Sequence, residues 1–200
     1  MVARINDVTV SARALREVEV VDADGARETI GNIAGDASPV VLVVLRHLGC
    51  LFCWSFARQW ANARARVEAA GGRVVPVSLG SAEKLGKFLE LNPEIPRSIA
   101  RVDESMDFAL YEACGFGKFT DATTKPKLQS PNFSFGDWFK YLTNVAKLAP
   151  IREGERGVPE GVLRLGGTFV LRGEDVAYAH AEALPGAHAD VDDVLAAAGA

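Results

Sequence analysis

Two cysteines separated by two residues, in Gly49-Cys50-Leu51-Phe52-Cys53, are where this sequence concentrates chemistry. A cysteine reacts as its thiolate; the free side chain ionises near pH 8.5, and a helix N-terminus or a neighbouring cation brings that down to about 3.5–7.5. A second cysteine one helical turn along can close a disulfide with the first and expel whatever was attached to it. Arg46 and His47 precede the pair directly and are candidates to add positive charge. The rival chemistry for a close thiol pair is metal binding. Zinc takes four Cys or His ligands in paired clusters, whereas Cys114 stands alone and His180 and His188 have no helical or knuckle spacing. Three cysteines are also too few for a disulfide scaffold. Redox chemistry without metal or cofactor is the expectation, since Gly115-Phe116-Gly117 closes a helix and is no phosphate-cradling GxGxxG loop.

Such a pair needs elements that hold it at a helix N-terminus. Val40 to Leu45 is a continuous apolar, β-branched run, the pattern of a strand buried on both faces. Behind the cysteines, Phe56, Trp60, Ala63 and Val67 recur at helical spacing, with Arg58, Arg64 and Arg66 off that face. Gly71-Gly72 ends the helix and Arg73 to Leu79 reads as the next strand. Strand, helix and strand at this length form a right-handed βαβ unit with parallel strands. The CxxC sits at its strand-to-helix junction, where unpaired N–H groups and the positive end of the helix dipole favour a thiolate.

Around this unit, Val18 to Val21 and Glu28 to Ile30 pair across the turn Asp22–Gly25 as an N-terminal β-hairpin. Helices are predicted from Ser81 to Leu91 and from Glu104 to Cys114. Gly166 to His180 reads as two strands joined at Gly173–Asp175, and Asp190 to Ala198 as a final helix with an acidic first turn. Residues 118–160 read as an irregular insert in which Phe133, Phe135, Trp138, Phe139 and Tyr141 crowd, with Trp138, Leu142 and Val145 on one helix face.

The chain has 200 residues, 48% hydrophobic and 24% charged, enough for one domain with a sizeable core. A single domain over 1–200 is expected, with 1–15 as a flexible lead. A net charge of -4 without a basic run argues against nucleic-acid binding. No apolar stretch approaches the roughly 20 residues that span a bilayer, and the N-terminus lacks the apolar core of a signal peptide. The expected compartment is the cytoplasm.

The run PVVLVVLRHLGCLFCWSFARQW resembles the active-site segment of peroxiredoxin-like proteins of the AhpC/TSA type, and especially the branch related to selenoprotein U, where Cys-x-x-Cys follows an apolar strand and an arginine. The hairpin, RVVPVSL, ALYEACGFG and LGGTFVLRGEDVAYAH also sit where that family has them. The resemblance implies an α/β thioredoxin-like fold, a central mixed β-sheet flanked by helices with an N-terminal β-hairpin. It implies thiol-dependent peroxidase or related oxidoreductase activity, a peroxide or disulfide substrate, an external thiol reductant of the thioredoxin or glutathione type, and a homodimer.

The sequence also departs from that pattern. The P-x-x-x-T-x-x-C signature of peroxiredoxins is absent, with Cys50 where the threonine would stand. On that alignment Cys53 attacks peroxide. On the thioredoxin and selenoprotein U alignment Cys50 attacks and Cys53 resolves, and the greater exposure of a first cysteine favours Cys50. Gly166-Gly167-Thr168 replaces the cis-proline and threonine of thioredoxins. Gly167 lets backbone or substrate come close. Cys50, Cys53 and Arg46 are therefore the catalytic candidates, His47, Gly167 and Thr168 the substrate-contacting ones, and Arg164 a further candidate for a peroxide-stabilising arginine. Cys114 is expected to be a small core hydrophobe and His180 an outward-facing edge residue. Three functions compete: a thiol peroxidase, a thiol–disulfide or carbonyl/endoperoxide reductase, and a non-catalytic redox sensor or binding module.

Overall fold

The computed structural model describes residues 2–121, 135–151 and 157–200. Two short strands, β1 (Ala3–Ile5) and β2 (Val8–Val10), pair as a separate hairpin ahead of helix α1 (Ala12–Glu17). These three-residue strands carry no period long enough to show in the sequence. The expected hairpin follows as β3 (Glu19–Val21) and β4 (Arg27–Thr29), leading into α2 (Ile30–Ala34). The βαβ unit is β5 (Val40–His47), α3 (Leu51–Ala69) and β6 (Arg73–Leu79). Beyond it lie α4 (Ala82–Leu91), β7 (Arg101–Asp103), α5 (Ala109–Cys114), α6 (Phe135–Leu148) and α7 (Glu160–Leu163). The chain closes with β8 (Gly167–Arg172), β9 (Asp175–Ala181) and α8 (Val191–Ala198).

The other seven strands form one mixed sheet in the order β4-β3-β7-β6-β5-β8-β9. β5, β6 and β7 run parallel, and the other pairings are antiparallel. Central β5 is buried along its whole length, as its unbroken apolar run requires. Because side chains alternate along a strand, Val41, Val43 and Leu45 face Phe56 and Trp60 of α3 and Leu195 of α8. Val40, Leu42 and Val44 face the opposite layer, with Ile30, Leu110 and Tyr111. β5 is thus clamped on both faces and by a strand on each edge. Its carboxyl end, where open α/β sheets place their ligand sites, is held rigidly.

Local chemistry sets several boundaries. Ser81 caps α4 by accepting the Lys84 N–H, and the Asp190 carboxylate accepts the N–H groups of Asp192 and Asp193 to start α8. The helix expected from Glu104 begins only at Ala109, because the Asp103 carboxylate takes the N–H groups of Ser105 (2.8 Å) and Leu110 (3.0 Å) and holds the intervening chain as a loop. The span expected as an irregular insert contains the 14-residue helix α6. Of its aromatic residues, Phe139 is exposed on α6, while Phe133 and the side chains of Phe135, Trp138 and Tyr141 lie outside the described residues.

Candidate active site

The CxxC is positioned by the way β5 hands over to α3. Cys50 is the N-cap residue of α3, with extended backbone (φ -90°, ψ 118°), and its N–H donates to the His47 carbonyl at 2.9 Å. The Leu48 carbonyl accepts the Trp54 indole N–H at 2.6 Å, tying the junction to the core. Gly49 lets α6 close over the junction: a Cβ there would lie 2.9 Å from the Val145 carbonyl oxygen and 3.0 Å from the Ala149 nitrogen. Beneath, the buried Tyr111 hydroxyl donates to the Leu45 carbonyl and reaches the Arg46 carbonyl at 3.2 Å.

Arg46 aims its guanidinium at the first thiol. Nε donates to the Arg164 carbonyl (2.9 Å) and one terminal nitrogen to the Val162 carbonyl (2.6 Å), leaving the other 3.6 Å from Cys50 Sγ. The planar fork is thereby used in a fixed orientation. The Arg46 backbone N–H donates to Cys53 Sγ at 3.3 Å, so one residue contacts both sulfurs by different groups. Cys50, Arg46, His47, Leu51, Val145 and Val162 border a largely apolar cleft of about 340 Å³; Cys53 does not reach it. Both thiols are nonetheless almost wholly covered, at 3% and 2% exposure.

The two sulfurs are strongly polarised. Burial opposes ionisation at Cys50, but the Cys53 thiol, the Arg46 charge and the Cys53 N–H together outweigh it and lower the Cys50 pKa to about 6. Cys53 is pushed the other way, well above the ordinary thiol value, first by burial and then by its hydrogen bond to Cys50 and that thiolate's charge. Burial, then the Arg46 charge, drives His47 down to about 3. His47 is therefore a neutral cleft residue, and the positive charge expected of it is absent at neutral pH. Its Nδ1 is buried without a partner among the described residues.

A model of the family "AhpC/TSA antioxidant enzyme" matches residues 60–183, more than half of the chain. The protein belongs to the AhpC/TSA family. The match begins after Cys53, so membership is carried by the frame around the thiols. Among solved structures, the peroxidoxin BcpB of Mycobacterium tuberculosis is similar at 16% identity, covering 91% of each chain, with a TM-score of 0.57. Peroxiredoxin Q of Xanthomonas campestris matches at 16% identity over 94% of each chain (TM-score 0.55). A peroxiredoxin-like protein of Aquifex aeolicus matches at 15% identity over 100% of this chain and 90% of its own (TM-score 0.53). At these identities the likeness is one of fold. A search of the curated proteins finds no match.

Within this AhpC/TSA frame the other candidates separate. Gly167 and Thr168 lie on β8, paired with Val44 and Val43 of β5, away from the cleft lining. A Cβ on Gly167 would meet the His180 carbonyl oxygen at 2.3 Å and the Phe116 ring at 2.5 Å, so the close approach it permits is that of the protein itself. Thr168 is fully buried. Arg164 pairs its guanidinium with Glu112 (2.6 Å) and Glu160 (2.7 Å), and only its carbonyl serves the site, by holding Arg46. Cys114 is buried in the opposite layer, and burial raises its pKa well above the ordinary value. His180 is partly buried, with Nε2 2.7 Å from the Ala187 carbonyl oxygen. Among the described residues no three His, Cys, Asp or Glu side chains converge as a metal would need, and no helix is long and apolar enough to cross a membrane. Two groups near the thiols had no sequence signal: Glu182, just past β9, and His188, in the connection to α8. The two lie in no common helix or strand, so no periodicity joins them.

Proposed function

We propose that the protein is a thiol peroxidase in which Cys50 attacks and Cys53 resolves. The observation that carries this reading is the Arg46 guanidinium, fixed by two carbonyls and set 3.6 Å from the Cys50 sulfur at the edge of an apolar cleft. The Cys50 thiolate attacks the distal peroxide oxygen; the S–O bond forms as the O–O bond breaks, leaving a sulfenic acid and an alkoxide or hydroxide that takes up a proton. Arg46, fixed by two carbonyls, faces the charge that moves from sulfur to the leaving oxygen. Cys53 then attacks the sulfenic sulfur, forming the disulfide and releasing water. An external dithiol of the thioredoxin type, or glutathione, returns the pair to two thiols. Cys-x-x-Cys after an apolar strand and an arginine supports placing the chain in the selenoprotein U-related branch. We read it as one domain over 1–200, cytoplasmic and homodimeric, with hydrogen peroxide or organic hydroperoxides as substrates and no cofactor.

Stopped-flow reaction of the fully reduced protein with hydrogen peroxide and cumene hydroperoxide, followed by thiol titration and peptide mapping, tests this. Fast loss of two thiols that map to a Cys50–Cys53 disulfide, abolished in Cys50→Ser, is expected. Reaction at the rate of an ordinary free thiol refutes the peroxidase. A second reading, a thiol–disulfide reductase, is favoured by Cys50 standing where peroxiredoxins carry threonine; turnover of disulfides with none of peroxides would establish it. A disulfide that forms slowly and turns over with no reductant would mark a redox sensor or binding module.

A further inference from the structure

The connection between β9 and α8 carries a buried acid paired with a partly buried histidine, which the peroxidase reading leaves unused. Glu182 Oε1 lies 2.6 Å from His188 Nδ1, and His188 Nε2 lies 3.2 Å from the carbonyl oxygen of Phe52, which with Leu51 separates the two cysteines. The imidazole stacks on Phe56, ring centroids 4.2 Å apart and planes within 2°. Gly186 (φ +88°) brings the same connection against the Phe52 ring, where a Cβ would stand 2.7 Å from Cδ1. The Glu182 N–H donates to the Gly166 carbonyl at 2.9 Å, fastening the acid to the end of β8.

Both ring nitrogens of His188 face acceptors, a carboxylate oxygen and a carbonyl oxygen. A neutral imidazole has one donor and one acceptor nitrogen, so beside an ionised Glu182 only the doubly protonated ring satisfies both contacts. Glu182 is 5% exposed and its second oxygen, Oε2, is buried with no hydrogen-bond partner among the described residues. Kept ionised in such a place, a half-satisfied carboxylate calls for a cation beside it. It also opposes ionisation of both thiols.

We propose that His188, held as an imidazolium by Glu182, is a positioning residue that latches the first turn of α3 through the Phe52 carbonyl and supplies the Cys50 thiolate with a cation offsetting the Glu182 charge. The inference rests on Cys50 being the reacting thiolate. The groups facing Cys50 are then Arg46 from β5, Cys53 from α3, and Glu182 and His188 from the β9–α8 connection; His47, on β5, is neutral. Burial opposes the charge on His188, but the hydrogen bond and charge of Glu182, then the Cys50 charge, raise its pKa above the ordinary value.

The pH profile of iodoacetamide alkylation at Cys50, read by peptide mapping, tests this without any peroxide, so its outcome is independent of whether the protein is a peroxidase. His188→Gln leaves the Glu182 charge uncompensated, and alkylation at pH 5 is expected to slow about tenfold as the midpoint rises. Glu182→Gln/His188→Gln removes both charges and keeps a hydrogen-bonded pair, and is expected to return the rate to within about twofold of the natural protein. A purely structural latch predicts a double variant no better than the single, and that result, or an unmoved midpoint in His188→Gln, overturns the proposal. Should His188→Gln not fold, the reduced natural protein decides by 15N NMR of the His188 ring at neutral pH. Two protonated nitrogens are expected; one bare nitrogen overturns the assignment.

Discussion

Arg46 is the charge whose loss should most raise the Cys50 pKa, and the size of the change can be worked from its contacts. With a pKa of about 6, Cys50 is about nine-tenths thiolate at pH 7. Arg46→Met keeps most of the side chain's volume while removing the guanidinium nitrogen 3.6 Å from the sulfur. A hydrogen bond to a charged group contributes about 1.5–3 kcal/mol. At 1.36 kcal/mol per pH unit this raises the midpoint to about 7–8, leaving between about half and a tenth of Cys50 ionised at pH 7. Thiolate absorbance at 240 nm and alkylation rate, both followed against pH, report it. In the natural protein the alkylation rate should rise through pH 6 and then stay level to pH 9, since Cys53 ionises well above that range and Cys114 does too. Arg46→Met also leaves the Val162 and Arg164 carbonyls without their donor, costing about 1–3 kcal/mol each. Arg46→Lys is the control: it keeps the charge but not the fork, and should raise the midpoint by less. An Arg46→Met protein that retains its near-UV circular dichroism and still titrates near pH 6 refutes the assignment of Arg46.

Other perturbations follow from the same contacts. Because the Cys50 pKa is depressed on folding, its ionisation adds stability that is complete above the unfolded value of about 8.5 and is lost as pH falls through about 6. Reduced natural protein should therefore gain thermal stability over Cys50→Ser between pH 6 and pH 9, and a constant difference would contradict the shift. Cys114→Ser puts a hydroxyl into a fully buried apolar site and should lower unfolding stability by about 1–3 kcal/mol, while the Cys50 alkylation profile is unmoved. Gly49→Ala forces the α6 terminus away from the junction, with an expected loss of about 1–3 kcal/mol in urea unfolding. Equal stability there would mean the end of α6 yields freely.

The frame of the site was legible in the sequence because its elements are long and periodic. Val40 to Leu45, short, apolar and β-branched, reads as a doubly buried strand, and the Phe56, Trp60, Val67 spacing places α3 against it; these side chains are all buried as that pattern demands. Shorter elements escaped. β7 has three residues, and the capture of two N–H groups by Asp103 delays α5 in a way no propensity shows. His47 reads as a cation beside a thiol pair, yet it lies inside β5, where burial keeps it neutral. Arg164 reads as a candidate guanidinium but contributes a carbonyl, because Glu112 and Glu160 stand nearer its charge. Glu182 and His188 meet only after β9 and α8 have folded against α3, so their pairing is a tertiary fact with no local trace.

Which of two neighbouring thiols becomes the anion is decided by where the helix begins. Cys50, at the N-cap with extended backbone, keeps its sulfur outside the helical ladder, at the cleft and within reach of Arg46. Cys53, inside the first turn, has its sulfur directed back at the Arg46 amide, and its S–H is free to donate to Cys50. Once Cys50 is charged, ionising Cys53 would place two anions side by side, which reinforces the order. The surrounding charges do not choose between the thiols: Arg46 lowers both and Glu182 raises both. Charge substitutions should therefore move the two ionisations together, whereas the identity of the first thiolate rests on directed hydrogen bonds and on α3 starting at Leu51. A variant that alters net charge around the pair without changing that start should change how fast Cys50 reacts, and should not transfer the reaction to Cys53.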